Sequence, residues 1–318
     1  MACRVFDKKN APVLRVFAFP HAGGNASCFN RSWSKNLPSL AEVVAVQYPG
    51  RPGRFRDPLA TCMDDLVHGI VDDMLPFICK KPYPATAFCS ICSAKRSRRP
   101  AVGDEPELPT TSTWHHPGCH CNEIGCSKII LNPGEGCEVI SHEPAPAPII
   151  PFVLLGHSLG AVLVLEVARE LRRRHLPAPL HIYVSGRSSP HCPKPMALIP
   201  PTIPDGEYVS RVVRAFGPSS LLDNPALYPI ALPILKADMQ LVDSYTYQPD
   251  HPLDIPFTAW GGVDDSFSQP EKVGTWQAQS TRPLVLRMVP HRHFFVDKPE
   301  YLDLLAADLD ALIDGILE

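Results

Sequence analysis

The stretch that decides the fold is FVLLGHSLGAVLVLEVARELRRR, residues 152–174. It begins with an apolar run typical of a buried strand and ends with a helical pattern whose basic tail suits the negative end of a helix dipole. Between the two lies Gly156-His157-Ser158-Leu159-Gly160, which fits the pattern G-x-S-x-G. At a turn from strand to helix, small residues on either side leave the serine hydroxyl exposed, so the stretch predicts Ser158 as a nucleophile. The alternative interpretation is a serine that caps a glycine-flanked helix.

Strand-like and helix-like runs alternate on both sides of this stretch. Short apolar runs that end at Pro or Gly predict strands, and apolar residues at helical spacing predict helices. The alternation favours an α/β fold, a mostly parallel sheet with helices on both faces, in a single domain that spans residues 1–318. The predicted strands are 13–20, 43–49, 152–156, 180–186, 256–262 and 284–290, and the predicted helices are 61–78, 159–174 and 300–317.

The composition of the chain excludes several function classes. Its 318 residues are 45% hydrophobic and 20% charged, as in a globular protein with a sizeable core. A formal net charge of -3 and a pI near 6.5 give no general attraction to nucleic acid or to anionic membranes. The N-terminus lacks the features of a signal peptide and no run reaches the roughly 18 apolar residues that span a bilayer, so a cytoplasmic location is expected. Eleven cysteines, an odd number, are expected to be reduced thiols.

A serine hydroxyl becomes a good nucleophile only when a base takes its proton and a carboxylate orients that base. Asp264 and Asp265 follow the strand predicted at 256–262, and His291 and His293 follow the strand predicted at 284–290. The chain order Ser, Asp, His is the one expected for an α/β-hydrolase. Spacing alone chooses neither between the two aspartates nor between the two histidines.

The segment FPHAGGNAS, residues 19–27, follows the first strong strand. A loop in that place can supply a backbone N–H to an oxyanion hole, from Ala22 or Gly23, while Leu159 after the nucleophile supplies the second. Small residues let such a backbone approach a substrate closely. A simple glycine turn is the alternative.

The interval 83–151 interrupts this pattern. It is rich in Cys and Pro, has no sustained helical or strand period and is predicted to be an irregular, disordered insertion. Zinc binding is the alternative, but the spacing of the candidate ligands departs from the standard zinc patterns, so no metal site is predicted. The candidate ligands are Cys89, Cys92, His115, His116, Cys119, His120, Cys121 and Cys126.

A second interval, 203–247, holds helical patterns with no strand between them and is predicted to be a helical lid. Lids of this kind shape substrate pockets. Four apolar residues there, Phe216, Leu221, Leu222 and Met239, are candidates for lining such a pocket, with core packing as the alternative use of each.

Six segments of the chain together resemble the type II thioesterases, the stand-alone thioesterases of fatty-acid, polyketide and non-ribosomal-peptide synthases. The match runs from about Val13 to the C-terminus, except for the insertion. The segments are FPHAGGNAS (19–27), QYPGR (47–51), GHSLGA (156–161), LPILKADMQLVDSYTY (232–247), WGGVDDSFS (260–268) and HRHFFV (291–296).

This resemblance implies an α/β-hydrolase with a helical lid that hydrolyses acyl groups from the phosphopantetheine arm of an acyl or peptidyl carrier protein, or from coenzyme A. In this family the histidine precedes paired phenylalanines, which points to His293. The acid lies three residues after a glycine, and the following SFS favours Asp265 over Asp264. Such a reaction releases finished chains or edits stalled carriers, and the enzyme is expected to act as a monomer without cofactor or metal.

The sequence also allows other interpretations of the function. A carboxylester hydrolase or an acyltransferase of the same fold is the nearest alternative, and a non-catalytic, zinc-stabilised interaction protein is the alternative from another class. If Lys81-Pro82 is joined directly to Phe152, the sequence that then precedes the nucleophile resembles that of the family. The interval 83–151 is therefore interpreted as a lineage-specific insert or as an unspliced stretch of the gene.

Overall fold

A computed structural model describes residues 3–79, 150–193, 199–218, 222 and 224–318 of the chain. The predicted insertion lies outside the described residues except for its last two positions, and so do all the zinc candidates and Leu221. The strands are β1 (Cys3–Val5), β2 (Leu14–Phe19), β3 (Ala41–Val46), β4 (Phe152–His157), β5 (Ile182–Ser185), β6 (Phe257–Gly262) and β7 (Val285–Val289).

The strands described form one sheet of seven in the order β1-β3-β2-β4-β5-β6-β7. Only β1 runs antiparallel to its neighbour, with Cys3 opposite Val46, and the other neighbouring pairs are parallel. The predicted mostly parallel sheet is therefore confirmed. The sequence did not predict β1, because three residues are too few to show a strand period.

The three helices predicted at 61–78, 159–174 and 300–317 lie close to their predicted bounds. The helices α1 (Arg31–Ser34) and α6 (Pro270–Val273) are single turns, and 3₁₀ turns span Ala26–Phe29, Pro225–Leu227 and Gly274–Gln279. The longer helices are α2 (Met63–Ile78), α3 (Leu159–Arg173), α4 (Asp205–Phe216), α5 (Tyr228–Ser244) and α7 (Pro299–Leu317). None of the helices in the described part of the chain is both long and apolar enough to span a lipid bilayer.

Alternate residues of the central strands point to opposite faces of the sheet, and both faces are buried. Phe17 and Phe19 of β2 pack in one cluster with residues of α2 and α3. Val16 and Ala18 pack on the other face, with Leu305 and other residues of α7. A strand covered on both sides has no polar face, which is why the central strands read as continuous apolar runs.

The interval predicted to be a lid, 203–247, contains α4 and α5. Six buried side chains of this interval and Ile199 form a separate apolar cluster, against which Ala22, Phe216 and Met239 pack while partly buried. The members are Ile199, Tyr208, Val209, Val212, Leu222, Leu232 and Leu235. Because Ala22 belongs to the loop after β2, this cluster brings the two helices onto the carboxyl edge of the sheet.

Candidate active site

Ser158 lies at a sharp turn between β4 and α3. Its backbone has φ 57° and ψ -109°, a conformation that is rare for a residue with a side chain. Its N–H donates to Ser185 O on the neighbouring strand at 2.8 Å, which fixes the turn to the sheet. The Ser158 side chain makes no hydrogen bond that caps α3. The geometry therefore favours a half-buried serine at a strained turn over the alternative of a helix cap.

The two glycines of the motif are required by close backbone contacts. A Cβ on Gly156 would lie 2.2 Å from Gly160 O, and a Cβ on Gly160 would lie 2.2 Å from Phe19 O. Both obstacles are main-chain atoms, which cannot rotate away as a flexible side chain can. The strand, the turn and the helix fit together only because these two residues have no side chain.

His293 and Asp265 lie together at the carboxyl edge of the sheet. His293 Nδ1 is 2.8 Å from Asp265 Oδ2, and the two residues are 3% and 2% exposed. Asp265 follows β6 and His293 follows β7, so the neighbouring parallel strands end at the same edge and bring the two loops into contact. A carboxylate in this position fixes the tautomer and the orientation of the imidazole ring.

Further hydrogen bonds hold the Asp265 carboxylate in place. Ser268 Oγ donates to its Oδ2 at 2.6 Å, and Phe267 N–H donates to its Oδ1 at 3.0 Å. Burial raises the pKa of Asp265, but the hydrogen bonds with His293, Ser268 and Phe267 more than offset it, and the pKa lies below its ordinary value. Asp265 is thus held as a carboxylate. Ser268 was not predicted as a site residue, although it lies in the quoted SFS.

The rejected candidates lie elsewhere. Asp264 is exposed, and its N–H donates to His291 O at 3.1 Å. The His291 ring pairs instead with Glu300, with 2.8 Å between Nε2 and Oε2. The structure therefore brings the Asp265 and His293 side chains together, whereas Asp264 and His291 meet only through their backbones.

His157, the residue before the serine, links the serine turn to His293. Its ring centroid lies 5.0 Å from that of His293. Ser185 Oγ donates to Gly156 O at 3.2 Å, so its oxygen is the acceptor for His157 Nδ1 at 2.8 Å. Burial, with His293 and His21 nearby, holds the pKa of His157 well below its ordinary value, and the ring is neutral. The sequence indicated no role for this histidine, since the motif accepts any residue there.

The N–H groups predicted as candidates for the oxyanion hole, those of Leu159, Ala22 and Gly23, differ in whether they already donate a hydrogen bond. Leu159 is the first residue of α3, so its N–H has no acceptor within the helix. In the loop after β2, Gly23 N–H donates to Asp238 Oδ2 of α5 at 2.7 Å and is already occupied. Ala22 is thus the better placed of the two candidates from this loop. The His21 ring packs 4.9 Å from Phe294, next to His293.

The helix α4 reaches the same place through Phe216. Its ring stacks on Phe267 with 4.7 Å between centroids and lies 4.9 Å from the His293 ring. Arg292 extends this contact, because its Nη2 donates to Arg214 O of α4 at 3.3 Å. The end of α4 therefore covers the histidine on the side away from the sheet.

Chemically, the carboxyl edge of the sheet carries a serine at a strained turn, an imidazole held by an ionised carboxylate and helix-terminal N–H groups, while the described contacts include no hydrogen bond between Ser158 and His293. This is the set of groups that nucleophilic acyl transfer requires. Within the described ranges no group of three or more His, Cys, Asp or Glu side chains has the geometry to hold a metal ion.

The chain matches a known protein family over most of its length. The model of the thioesterase domain family matches residues 14–84 and 143–312. The interruption between the matched parts falls inside the interval 83–151, which the sequence predicts to be an insertion.

Individual proteins are similar over nearly the whole chain. The gramicidin S biosynthesis protein GrsT of Aneurinibacillus migulanus is 28% identical over 295 residues, which cover 92% of this chain and 86% of that protein. Thioesterase PikA5 of Streptomyces venezuelae is 25% identical and covers 92% of this chain and 79% of its own length. Among solved structures, the thioesterase RedJ from the prodiginine pathway of Streptomyces coelicolor is similar with a TM-score of 0.64 and 27% identity, over 97% of this chain and 90% of that one. This similarity confirms the predicted α/β-hydrolase fold.

Proposed function

Because the chain belongs to the thioesterase domain family and is a thioester hydrolase, we propose that it cleaves acyl groups from the phosphopantetheine arm of a carrier protein, with Ser158, His293 and Asp265 as catalytic residues. The family match confirms the resemblance to the type II thioesterases on which this substrate class rests. The single observation that best supports the catalytic assignment is the buried pair of His293 and Asp265, 2.8 Å apart.

In the first half of the reaction, His293 takes the proton of Ser158 and the serine oxygen attacks the thioester carbonyl. The N–H groups of Leu159 and Ala22 stabilise the negative oxygen of the tetrahedral intermediate. Asp265 keeps the His293 ring in one orientation and stabilises its positive charge. When the intermediate collapses, the carbon–sulfur bond breaks, the sulfur leaves with the proton from His293, and the acyl group remains as an ester on Ser158.

In the second half, a water molecule takes the place of the departed thiol. His293 removes one proton from the water, whose oxygen attacks the ester carbonyl. The second tetrahedral intermediate collapses with return of that proton to Ser158 Oγ. The products are a free carboxylic acid and the original enzyme, so the cycle needs no cofactor.

The proposed partner is an acyl or peptidyl carrier protein of a synthase. GrsT is named for gramicidin S biosynthesis and RedJ for the prodiginine pathway, and both names support a place beside such a synthase for this chain. Hydrolysis there releases a chain or clears a stalled carrier. We extend the proposal to a monomer that works in the cytoplasm, where carrier proteins are loaded.

The test compares hydrolysis of acyl-carrier protein and acyl-CoA by the native protein and by Ser158→Ala, with the release of free thiol as the readout. Loss of a triad serine lowers the rate by about 10⁴-fold or more in enzymes of this kind, so the variant is expected to be close to inactive. A carboxylic ester of the same acyl group is the control substrate. Equal rates for the two proteins would remove Ser158 from the mechanism, and a preference for the oxygen ester would favour a carboxylester hydrolase.

A further inference from the structure

A buried ion pair joins the lid to the segment after β3, and its carboxylate also contacts the loop after β2. Asp238 of α5 and Arg51, which follows β3, are 3% and 1% exposed and form a salt bridge through Asp238 Oδ2 and Arg51 Nη2. The same carboxylate oxygen accepts the Gly23 N–H at 2.7 Å. Among the lid side chains that the structure describes, Asp238 is the one that is hydrogen-bonded to the backbone of this loop.

The loop is fixed at further points by the segment QYPGR (47–51). These contacts run from three of its side chains to backbone atoms on both sides of Gly23. Gln47 Oε1 accepts from Ala26 N–H at 2.6 Å, Tyr48 Oη donates to Pro20 O at 2.9 Å, and Arg51 Nε donates to Gly24 O at 3.4 Å. The Arg51 guanidinium also lies 5.3 Å from the centre of the Tyr48 ring. The peptide unit between Ala22 and Gly23 therefore lies in a loop that is hydrogen-bonded on both sides of Gly23, and Asp238 contacts the loop at Gly23 itself.

The hydrogen bond from Gly23 has a direct consequence for the neighbouring peptide. Burial raises the pKa of Asp238, but its Oδ2 accepts from both the Arg51 guanidinium and the Gly23 N–H, so the Gly23 N–H points toward the lid. Gly23 has φ 75°, a left-handed conformation that turns the chain sharply at this residue. With the Gly23 N–H and the turn both fixed, the peptide unit between Ala22 and Gly23 has little freedom to rotate, and this restrains the backbone of Ala22.

We propose that Asp238 is a positioning residue for hydrolysis: by holding the Gly23 N–H, it sets the Ala22 N–H toward the oxyanion. This inference rests on the proposed function, since it needs Ala22 as an oxyanion donor. It also makes the geometry of the oxyanion hole depend on the position of α5. A lid that moves away from the sheet withdraws the acceptor from Gly23 and loosens the hole.

The principal test compares Asp238→Ala, which removes the acceptor, with Asp238→Asn, whose amide oxygen can still accept the Gly23 N–H. For a donor displaced by about 1 Å, a fall of about 100-fold in kcat is expected for Asp238→Ala, with KM for an acyl-CoA substrate within about twofold. Asp238→Asn is expected to recover a large part of the lost kcat. A residue that only stabilised the fold would show no such split between kcat and KM.

A second measurement reports the oxyanion hole itself. A trifluoromethyl ketone with the acyl chain of the substrate adds to a catalytic serine and places a negative oxygen in the hole. Its inhibition constant is expected to rise by the same factor as kcat/KM falls in Asp238→Ala. The affinity of a thioether analogue, which has no carbonyl to bind there, is expected to stay unchanged. If the inhibition constant of the ketone does not change while kcat falls, the proposal is wrong.

Folding must be separated from positioning, because either single variant leaves Arg51 as an unpaired buried charge. The double variant Arg51→Met with Asp238→Asn removes both charges and keeps an acceptor for Gly23, and it is expected to exceed the kcat of Asp238→Ala at least tenfold. An equal loss in the double variant would assign the effect to the charge pair and overturn the proposal. Asp205→Asn, which breaks the exposed contact of Asp205 with Lys236 between α4 and α5, is the matched lid control and is expected to keep kcat within twofold.

Ser158→Ala completes the set and separates the two hypotheses. If Ser158→Ala is inactive and Asp238→Ala has native kinetics, the proposed function stands and the positioning role fails. If Ser158→Ala retains native activity, the proposed function itself fails.

Discussion

His293 Nδ1 lies 2.8 Å from Asp265 Oδ2, although 28 residues separate them in the chain. The pair is buried, and Ser268 and Phe267 donate two further hydrogen bonds to the carboxylate. A desolvated carboxylate that accepts hydrogen bonds on both oxygens keeps its charge and its position. This relationship separates Asp265 from its neighbour Asp264 and leads to the first prediction.

Asp265→Asn is expected to lower kcat by about 10⁴-fold with a small change in KM, because the amide cannot hold His293 in the same tautomer. Steady-state hydrolysis of an acyl-CoA measures this. Asp264→Asn is the matched control, since Asp264 is exposed, and its kcat is expected within twofold of the native value. If Asp264→Asn were the variant that lost activity, the assignment of the acid would be reversed.

Gly156→Ala is expected to destabilise the fold by at least about 2 kcal/mol, because the added methyl group would meet the main chain of Gly160. Urea denaturation gives the free energy of unfolding. Gly69→Ala in α2 is the control, since a Cβ there meets nothing within 4 Å. That variant is expected to gain about 0.5–1 kcal/mol from the better helix former, and a similar effect of both substitutions would contradict the steric explanation.

Phe216→Ala is expected to lower kcat/KM by about tenfold, through loss of its ring contacts with Phe267 and His293. The assay compares acyl-CoA substrates of several chain lengths. Phe55→Ala, at an aromatic residue that is 60% exposed, serves as the control and is expected to leave kcat/KM unchanged. Native kinetics in Phe216→Ala would show that the end of α4 does not cover the working site.

Acid is expected to destabilise the protein through His181. Burial, with a smaller effect of Arg287, lowers the pKa of His181 to about 4 in the folded state, whereas in the unfolded chain it is about 6.5. The unfolded chain therefore binds the proton first, and stability falls as the pH drops from about 6.5 to about 4, with no further loss from this group below that.

The variant His181→Gln tests this, because glutamine can keep a hydrogen bond to Thr258, 2.9 Å from the native ring, but does not titrate. Between pH 7 and 5 its free energy of unfolding is expected to fall by up to about 2 kcal/mol less than that of the native protein. His251→Gln, at an exposed histidine, is expected to follow the native slope. Parallel slopes for all three proteins would exclude a role of His181.

Much of the fold could be predicted from local sequence patterns. The strand, turn and helix around Ser158 follow from an apolar run, two glycines and a helical period, each of which depends on neighbouring residues only. The first strand, Cys3–Val5, was not predicted because its pairing with Ala41–Val46 holds it in place and no period of its own does. The assignment of 203–247 as a lid stays a prediction, although α4 and α5 lie where helices were expected.

At the site, the order of serine, aspartate and histidine was evident from the chain, and the family resemblance pointed to Asp265 and His293. The ring contact of His157 with His293 and the support of Asp265 by Ser268 were not predicted. Nor was the occupation of Gly23 N–H by Asp238, which is 215 residues away.

The sequence by itself determined the alternation of strands and helices and the turn that presents Ser158. Both depend on the spacing of apolar residues and on backbone strain within a few neighbouring positions. Only the tertiary structure showed the contact between the Asp265 carboxylate and the His293 ring and the occupation of the Gly23 N–H by Asp238. Those contacts are hydrogen bonds of about 3 Å between distant segments, and such distances are set by the packing of the sheet and the lid.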